Sequence, residues 1–122
     1  MSKPDISDMD RHDPLKPAVF HLLLALAQQD LHGYALMHAV NEQSGGRIVL
    51  RTASLYRHLG ALIDDGLVAE APRRRRPEDP RRGTDYRLTA HGRAVLQQER
   101  VYLAEMMTAL DALGPVLRRG PA

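Results

Sequence analysis

Arg51, Ser54, Arg57 and His58 lie close together and carry two guanidinium groups, a hydroxyl and an imidazole. Two chemistries could use such a set. Ser54 and His58 stand four residues apart, which on a helix puts a hydroxyl beside a base as nucleophilic catalysis requires. Nothing identifiable in the sequence orients the imidazole, however, and no glycine-rich phosphate loop, paired-carboxylate site or nucleophile elbow occurs, so no catalytic residue and no cofactor are expected. The other chemistry is hydrogen bonding to base edges and phosphates from a helix laid in the major groove of duplex DNA. That use accounts for all four residues together.

A helix is needed to hold them, and the spacing predicts one. Leu55, Leu59, Leu62 and Ile63 recur on one face of a 3.6-residue period, which leaves Arg51, Ser54, Arg57, His58 and Ala61 on the outer face. Thr52 is placed to cap the start of this helix. Gly66 is placed to end it in the left-handed conformation, with Leu67 folding back on Leu62 in a Schellman-type stop. An amphipathic helix of this kind could also be a merely solvated surface element. The next segment of the chain argues for more.

Residues 67–71 are apolar, bounded by Gly66 and Pro72, and read as a strand; residues 84–88 alternate, carry Tyr86, and read as its hairpin partner. Between them runs PRRRRPEDPRRG, whose arginines are Arg73, Arg74, Arg75, Arg76, Arg81 and Arg82. Such a segment cannot build a packed core and is expected to be an extended, solvated, positively charged arm. Arginine suits phosphate pairs and a narrow minor groove. Helix, strand, basic wing and returning strand together describe a winged helix-turn-helix. The charge distribution agrees. Residues 1–46 hold three basic and six acidic side chains, residues 47–93 hold eleven basic and six acidic, and residues 94–122 hold three of each. The net charge of +2 therefore conceals a basic middle, the electrostatic footprint of nucleic-acid binding.

The remaining elements follow from periodicity. Pro17 suits the first turn of a helix reaching about Gln28, and Val19, Phe20, Leu22, Leu23, Leu24 and Leu26 cover most of its circumference. A helix apolar nearly all round must be buried on several sides, which in so short a chain suggests that a second subunit covers part of it. A second helix is predicted from about Gly33 to Gln43, with Leu36, Met37 and Val40 inward and Ser44, Gly45 and Gly46 at its end; residues 48–50 read as a short strand able to join the wing sheet. Thr89 can cap a long helix reaching about Leu113. On it Leu96, Leu103, Met106, Leu110 and Leu113 form an a/d ladder, with Glu99 in the remaining slot. Phe20, Leu24 and this ladder are the expected dimer interface.

Other classes are disfavoured. At 122 residues without cysteine, the chain is expected to be one small domain in a reducing cytoplasm, with no disulfide, thiolate nucleophile or zinc finger. Its six histidines, His12, His21, His32, His38, His58 and His91, show neither HxxH nor HxxxH spacing, so no metal site is expected. The longest apolar run, residues 22–27, is far too short to span a bilayer. The fold class read from these elements is mostly α with a small β-hairpin wing. Its expected division is a disordered acidic tail at 1–14, a winged helix-turn-helix at 15–89, a C-terminal dimerisation helix at 90–114 and a flexible tail at 115–122. The alternative use of such a fold is a protein-binding module, which would have the same apolar seams but no reason to join a basic wing to a polar recognition face.

Three motifs, HGYAL at 32–36, SLYRHLGALIDDGLV at 54–68 and YRLTAHGRAVL at 86–96, occur in the order and at the separations of the PadR-like bacterial transcriptional regulators, and the chain resembles that family over roughly residues 15–105. Its length resembles the short branch, with one C-terminal helix. The resemblance implies a homodimer in which the last helix packs on the partner's first, and an operator of two-fold symmetry; the residues expected to meet that DNA are Arg51, Thr52, Ser54, Tyr56, Arg57, His58 and the arginine arm. It also implies a repressor released by a small molecule, and a phosphate contact from the Tyr56 hydroxyl. The chain departs from the family in two places: Arg57 stands where a proline is common, and no tryptophan is available to stack a flat ligand. The candidate effector site is therefore drawn on Phe20, Leu24, Tyr102, Met106 and Met107, because methionine adapts to varied apolar shapes.

Overall fold

A computed structural model describes residues 13–72 and 84–119. In chain order its elements are α1 (Pro17–Gln28), β1 (Leu31–His32), α2 (Gly33–Gln43), α3 (Thr52–Asp64), β2 (Val68–Pro72), β3 (Thr84–Leu88), α4 (Ala90–Ala112) and α5 (Gly114–Arg118). The fold is mostly helical with one small antiparallel sheet, a winged helix. Residues 15–96 form one compact unit, and the rest of the described C-terminal chain falls in a second. The first unit runs past the expected boundary at residue 89 because Gly92, Val95 and Leu96 of α4 are buried or half-buried, the last two against its core.

That core is made of leucines from three helices. Leu22, Leu23 and Leu26 of α1, Leu36 and Val40 of α2, and Leu55, Leu59 and Leu62 of α3 are buried, joined by Leu67, Val68, Tyr86 and Leu88. Each helix contributes the face that its period marks out. Phe20 and Leu24, one turn apart on α1, are half-exposed and lie outside this cluster. Val19 and Ala27, by contrast, are half-buried against it. Helices α1 and α2 are pinned by Gln43, whose side-chain amide donates to the His21 carbonyl at 2.6 Å and whose nitrogen lies 3.1 Å from His21 Nδ1.

Both helix stops preceding α3 and β2 are Schellman turns. After α2, the Gly46 N–H reaches the Asn41 carbonyl at 2.8 Å and the Gly45 N–H reaches Glu42 at 3.1 Å. After α3, the Leu67 N–H reaches Leu62 at 2.9 Å and the Gly66 N–H reaches Ile63 at 3.0 Å, with Gly66 at φ 77°. Leu62 and Leu67 are both buried, as that motif's hydrophobic contact requires.

The sheet has the order β1–β3–β2, with Val68 opposite Leu88 and Leu31 opposite Tyr86. Three expectations are corrected here. The strand predicted at 48–50 does not form. The Ile48 N–H is taken at 2.9 Å by the buried Ser44 hydroxyl, and Ile48 and Leu50 pack on the core as loop residues, which satisfies their in-out-in pattern without pairing. The third strand is instead Leu31–His32, too short to show any period. Thr52 is not the cap of α3 but its first residue; Arg51, in extended conformation, holds the cap position and contributes no side-chain bond. Finally, where a tail is expected from 115 onward, α5 forms, with Pro115 in its first turn. No described helix is long and apolar enough to cross a membrane.

Gly92, in the first turn of α4, is buried, and a Cβ on it would strike the Leu67 carbonyl oxygen and lie 2.5 Å from Leu88 Cδ1. Helix propensity alone would favour Gly92→Ala by about 1 kcal/mol. The neighbour here is backbone and cannot rotate away, so the substitution is expected to destabilise, by about 1–3 kcal/mol as overpacking does. Urea unfolding checks the sign: a raised midpoint for Gly92→Ala would show that the crowding is not real.

Candidate nucleic-acid interface

The first unit shows a polar surface where α3 starts. Arg51, Thr52, Tyr56 and Arg57 are exposed, and Ser54 and His58 half-exposed, while Leu55, Leu59 and Leu62 on the opposite face are buried in the core. Arg51 provides no side-chain cap for the first-turn N–H groups of α3, and the helix carries no acidic residue there. The positive end of the helix dipole therefore meets no carboxylate of its own first turn, and exposed Arg51 precedes it. Such a surface can donate hydrogen bonds to anionic oxygens and to base acceptors.

Tyr56 is positioned by α2. Gly33, the first residue of α2, is buried, and a Cβ on it would meet the Tyr56 hydroxyl oxygen and lie 3.1 Å from Tyr56 Cζ. The phenol thus crosses the start of α2 in a space that only glycine leaves open. The preceding His32 caps α2: its Nδ1 accepts the Ala35 N–H at 3.2 Å, which requires that nitrogen to be unprotonated. The histidine in HGYAL is a local backbone device, and its paired role with Gly33 is a feature sequence reasoning missed; a histidine immediately before a glycine at a predicted helix start was the available signal. Tyr86, centrally placed on β3, completes the arrangement. Its phenol is held above the ordinary tyrosine value by burial first, and then by the neighbouring Tyr56 and Glu70.

The wing is continuous with α3. From the Schellman turn at Gly66, β2 leads directly towards the arginine-rich segment and β3 returns from it. Arg73, Arg74, Arg75, Arg76, Arg81 and Arg82 lie outside the described residues. Of the expected seam residues, Leu103, Met106, Leu110 and Leu113 are exposed by 40–48%, as is Met107 at 57%; Tyr102 is half-exposed. Leu96 differs from them, being half-buried against its own unit's core. Among the described residues no group of histidines and carboxylates could hold a metal ion.

The model of the transcriptional regulator PadR-like family matches residues 22–98. The chain belongs to that family. PadR-like proteins are DNA-binding transcriptional regulators and not enzymes, which places this chain among regulators. Solved structures agree on the fold. A PadR-like transcription factor from Bacteroides fragilis is 18% identical with a TM-score of 0.65, over 79% of this chain and 88% of that one. A PadR family regulator from Clostridium difficile is 18% identical with a TM-score of 0.62, over 84% and 99%. RosR of H. salinarum is 20% identical with a TM-score of 0.61, over 85% and 99%. A comparison with curated proteins finds no matching sequence.

Proposed function

We propose that the chain is a homodimeric, sequence-specific repressor whose α3 enters the major groove, whose arginine wing grips the flanking backbone, and whose DNA is released by a small molecule. The observation that carries this reading is the junction at Gly66: a helix with a cationic, hydroxyl-bearing outer face passes through one tight turn into the hairpin that bears six arginines. Paired helices in a two-fold dimer would reach successive major grooves about 34 Å apart, so the operator is expected to be an imperfect inverted repeat.

Recognition helix and wing should leave different signatures. If Arg57 makes a bidentate guanine contact, Arg57→Ala costs ~1–3 kcal/mol and relaxes preference at matching positions of both half-sites. Neutralising the wing arginines instead weakens binding to every duplex and flattens the log–log salt dependence by ~0.9 for each phosphate no longer neutralised. Affinity measured against salt on specific and scrambled duplexes separates the two. A wing variant that keeps the wild-type slope would reduce the arm to a solvated loop.

The dimer reading is supported by the row of exposed apolar side chains on α4 and just beyond it, Leu103, Met106, Leu110 and Leu113, which in a lone chain would face water. A charge buried unpaired in such a seam costs several kcal/mol. Leu103→Glu or Leu110→Lys is accordingly expected to yield monomer in sedimentation, and a wild-type protein that is already monomeric and folded at micromolar concentration rules the seam out.

For the effector, the support is the pair Met106 and Met107 on the same helix, exposed and adaptable. An effector releases DNA only by binding the DNA-incompetent dimer more tightly than the competent one. Compounds that release the operator from wild type should fail on Met106→Ala/Met107→Ala; unchanged release moves the effector site elsewhere.

A further inference from the structure

The C-terminal ends of α1 and α2, with β1, bound a cleft of about 300 Å³, the lower end of the size that small-molecule sites take. Its apolar lining is Ala25, which is buried, with Leu31 and Ala39, which are half-buried. Gln28, Glu42 and Gln43 line it as well. The two glutamine amides are oriented by backbone. The Gln43 nitrogen donates to the His21 carbonyl at 2.6 Å, and the Gln28 nitrogen to the Leu24 carbonyl at 3.3 Å. A carbonyl only accepts, so the nitrogen side of each amide is fixed, and each side-chain oxygen is turned from that backbone as an acceptor. The exposed Glu42 carboxylate adds further acceptors and a negative charge. From Ala25 to Gln43 the chain has no lysine or arginine, and Asp30 is a second carboxylate.

We propose that this cleft binds a small organic ammonium ion, its head on Glu42 and the glutamine oxygens and its apolar stem on Ala25, Leu31 and Ala39. An ammonium group complements such a set, since it carries donors only and a positive charge. Hydrogen bonds to an ionised partner are roughly twice as strong as neutral ones, so charge is what selects the ligand. A carboxylate ligand would be repelled by Glu42, and a neutral alcohol would forgo the ion pair. A divalent metal ion fits poorly, because it collects many oxygen ligands and Glu42 is the one carboxylate residue lining the cleft. The site shares no residue with the row on α4 or with the effector position at Met106 and Met107. It requires neither the DNA reading nor the dimer.

The probe is n-pentylamine, protonated at neutral pH and titrated into the full chain by calorimetry and by NMR of the alanine methyl groups. Pentanol and pentanoate serve as its neutral and anionic counterparts. Wild type is expected to bind pentylammonium saturably, with shifts at Ala25 and Ala39, and not to bind pentanoate. Pentanol should bind roughly 3- to 10-fold more weakly, the range for a charge-assisted contact partly screened by solvent. Glu42→Gln, an exposed and nearly isosteric change, should cost pentylammonium a similar factor and leave pentanol unaffected. Ala39→Leu fills the cleft and should abolish binding of both, with thermal unfolding verifying that each variant is folded. Should Ala39→Leu fail to fold, Glu42→Gln carries the decision. A wild type without saturable pentylammonium binding overturns the proposal. Equal affinity for amine and alcohol, or Glu42→Gln without effect, overturns the ammonium assignment. Undiminished binding to folded Ala39→Leu, or shifts that miss Ala25 and Ala39, overturns the site. None of these readouts involves DNA, so their failure is distinct from failure of the regulator reading.

Discussion

Thr89 holds three elements at one point. Its hydroxyl donates to the Gly66 carbonyl at 2.6 Å and accepts the Gly92 N–H at 2.9 Å, while its own N–H donates to the Leu67 carbonyl at 3.1 Å. Gly66 and Leu67 form the stop of α3, Thr89 ends the hairpin, and Gly92 belongs to the first turn of α4. The end of the recognition helix, the base of the wing and the start of the last long helix are thus bound by a single side chain and its backbone. Gly92 is the counterpart of this clasp, because the helix can approach the Leu67 carbonyl only where a Cβ is missing. The end of α3 and the base of the hairpin are thereby held together at one point.

A second constraint acts at the opposite end of α3. The His32 ring fixes the first turn of α2, Gly33 opens the space for the Tyr56 phenol, and Tyr86 brings the middle strand of the sheet near that phenol. Leu31 and His32 are at the same time the β1 partners of Tyr86 and Asp85. The start of α2 is therefore stitched to the wing sheet, so that the recognition helix is clasped at both ends by elements that also carry the hairpin. Under the DNA reading proposed above, such preorganisation would reduce the ordering cost of binding.

These two constraints show where the sequence is readable. Helix faces were legible because burial follows a period: Leu55, Leu59 and Leu62 are the buried residues of α3, and Gly66 with Leu67 makes the predicted Schellman stop. The cap at Thr89 was legible too, since a hydroxyl before an apolar period is a local signal. Illegible were the features that depend on pairing between distant segments. β1 is two residues long and exists only because the free edge of β3 offers it partners. Residues 48–50 carry a strand's alternation, yet Ser44 takes the Ile48 N–H and converts the pattern into loop packing. Leu96 fits a ladder drawn along α4, but it falls within the first turns that pack on the chain's own core. In the candidate site, the outer face of α3 is polar and accessible as its period implies, whereas the Gly33–Tyr56 contact joins residues that no spacing rule connects.

The two compact units divide the demands made on a small regulator. The 15–96 unit encloses its own core, with Leu22, Leu23, Leu36, Val40 and Leu55 fully inaccessible, and none of these side chains belongs to the C-terminal unit. The apolar row on α4 beyond Gln97 is exposed, as are Val116 and Leu117 further on in α5. A recognition surface built on the first unit can therefore stay ordered whatever covers the row on α4. That separation matters for regulation. A ligand shifts a population only through contacts that differ between two states, and a well-packed leucine core resists continuous deformation. The exposed face that carries Met106 and Met107 differs in kind, because its side chains are adaptable and no close packing need be broken to rearrange them.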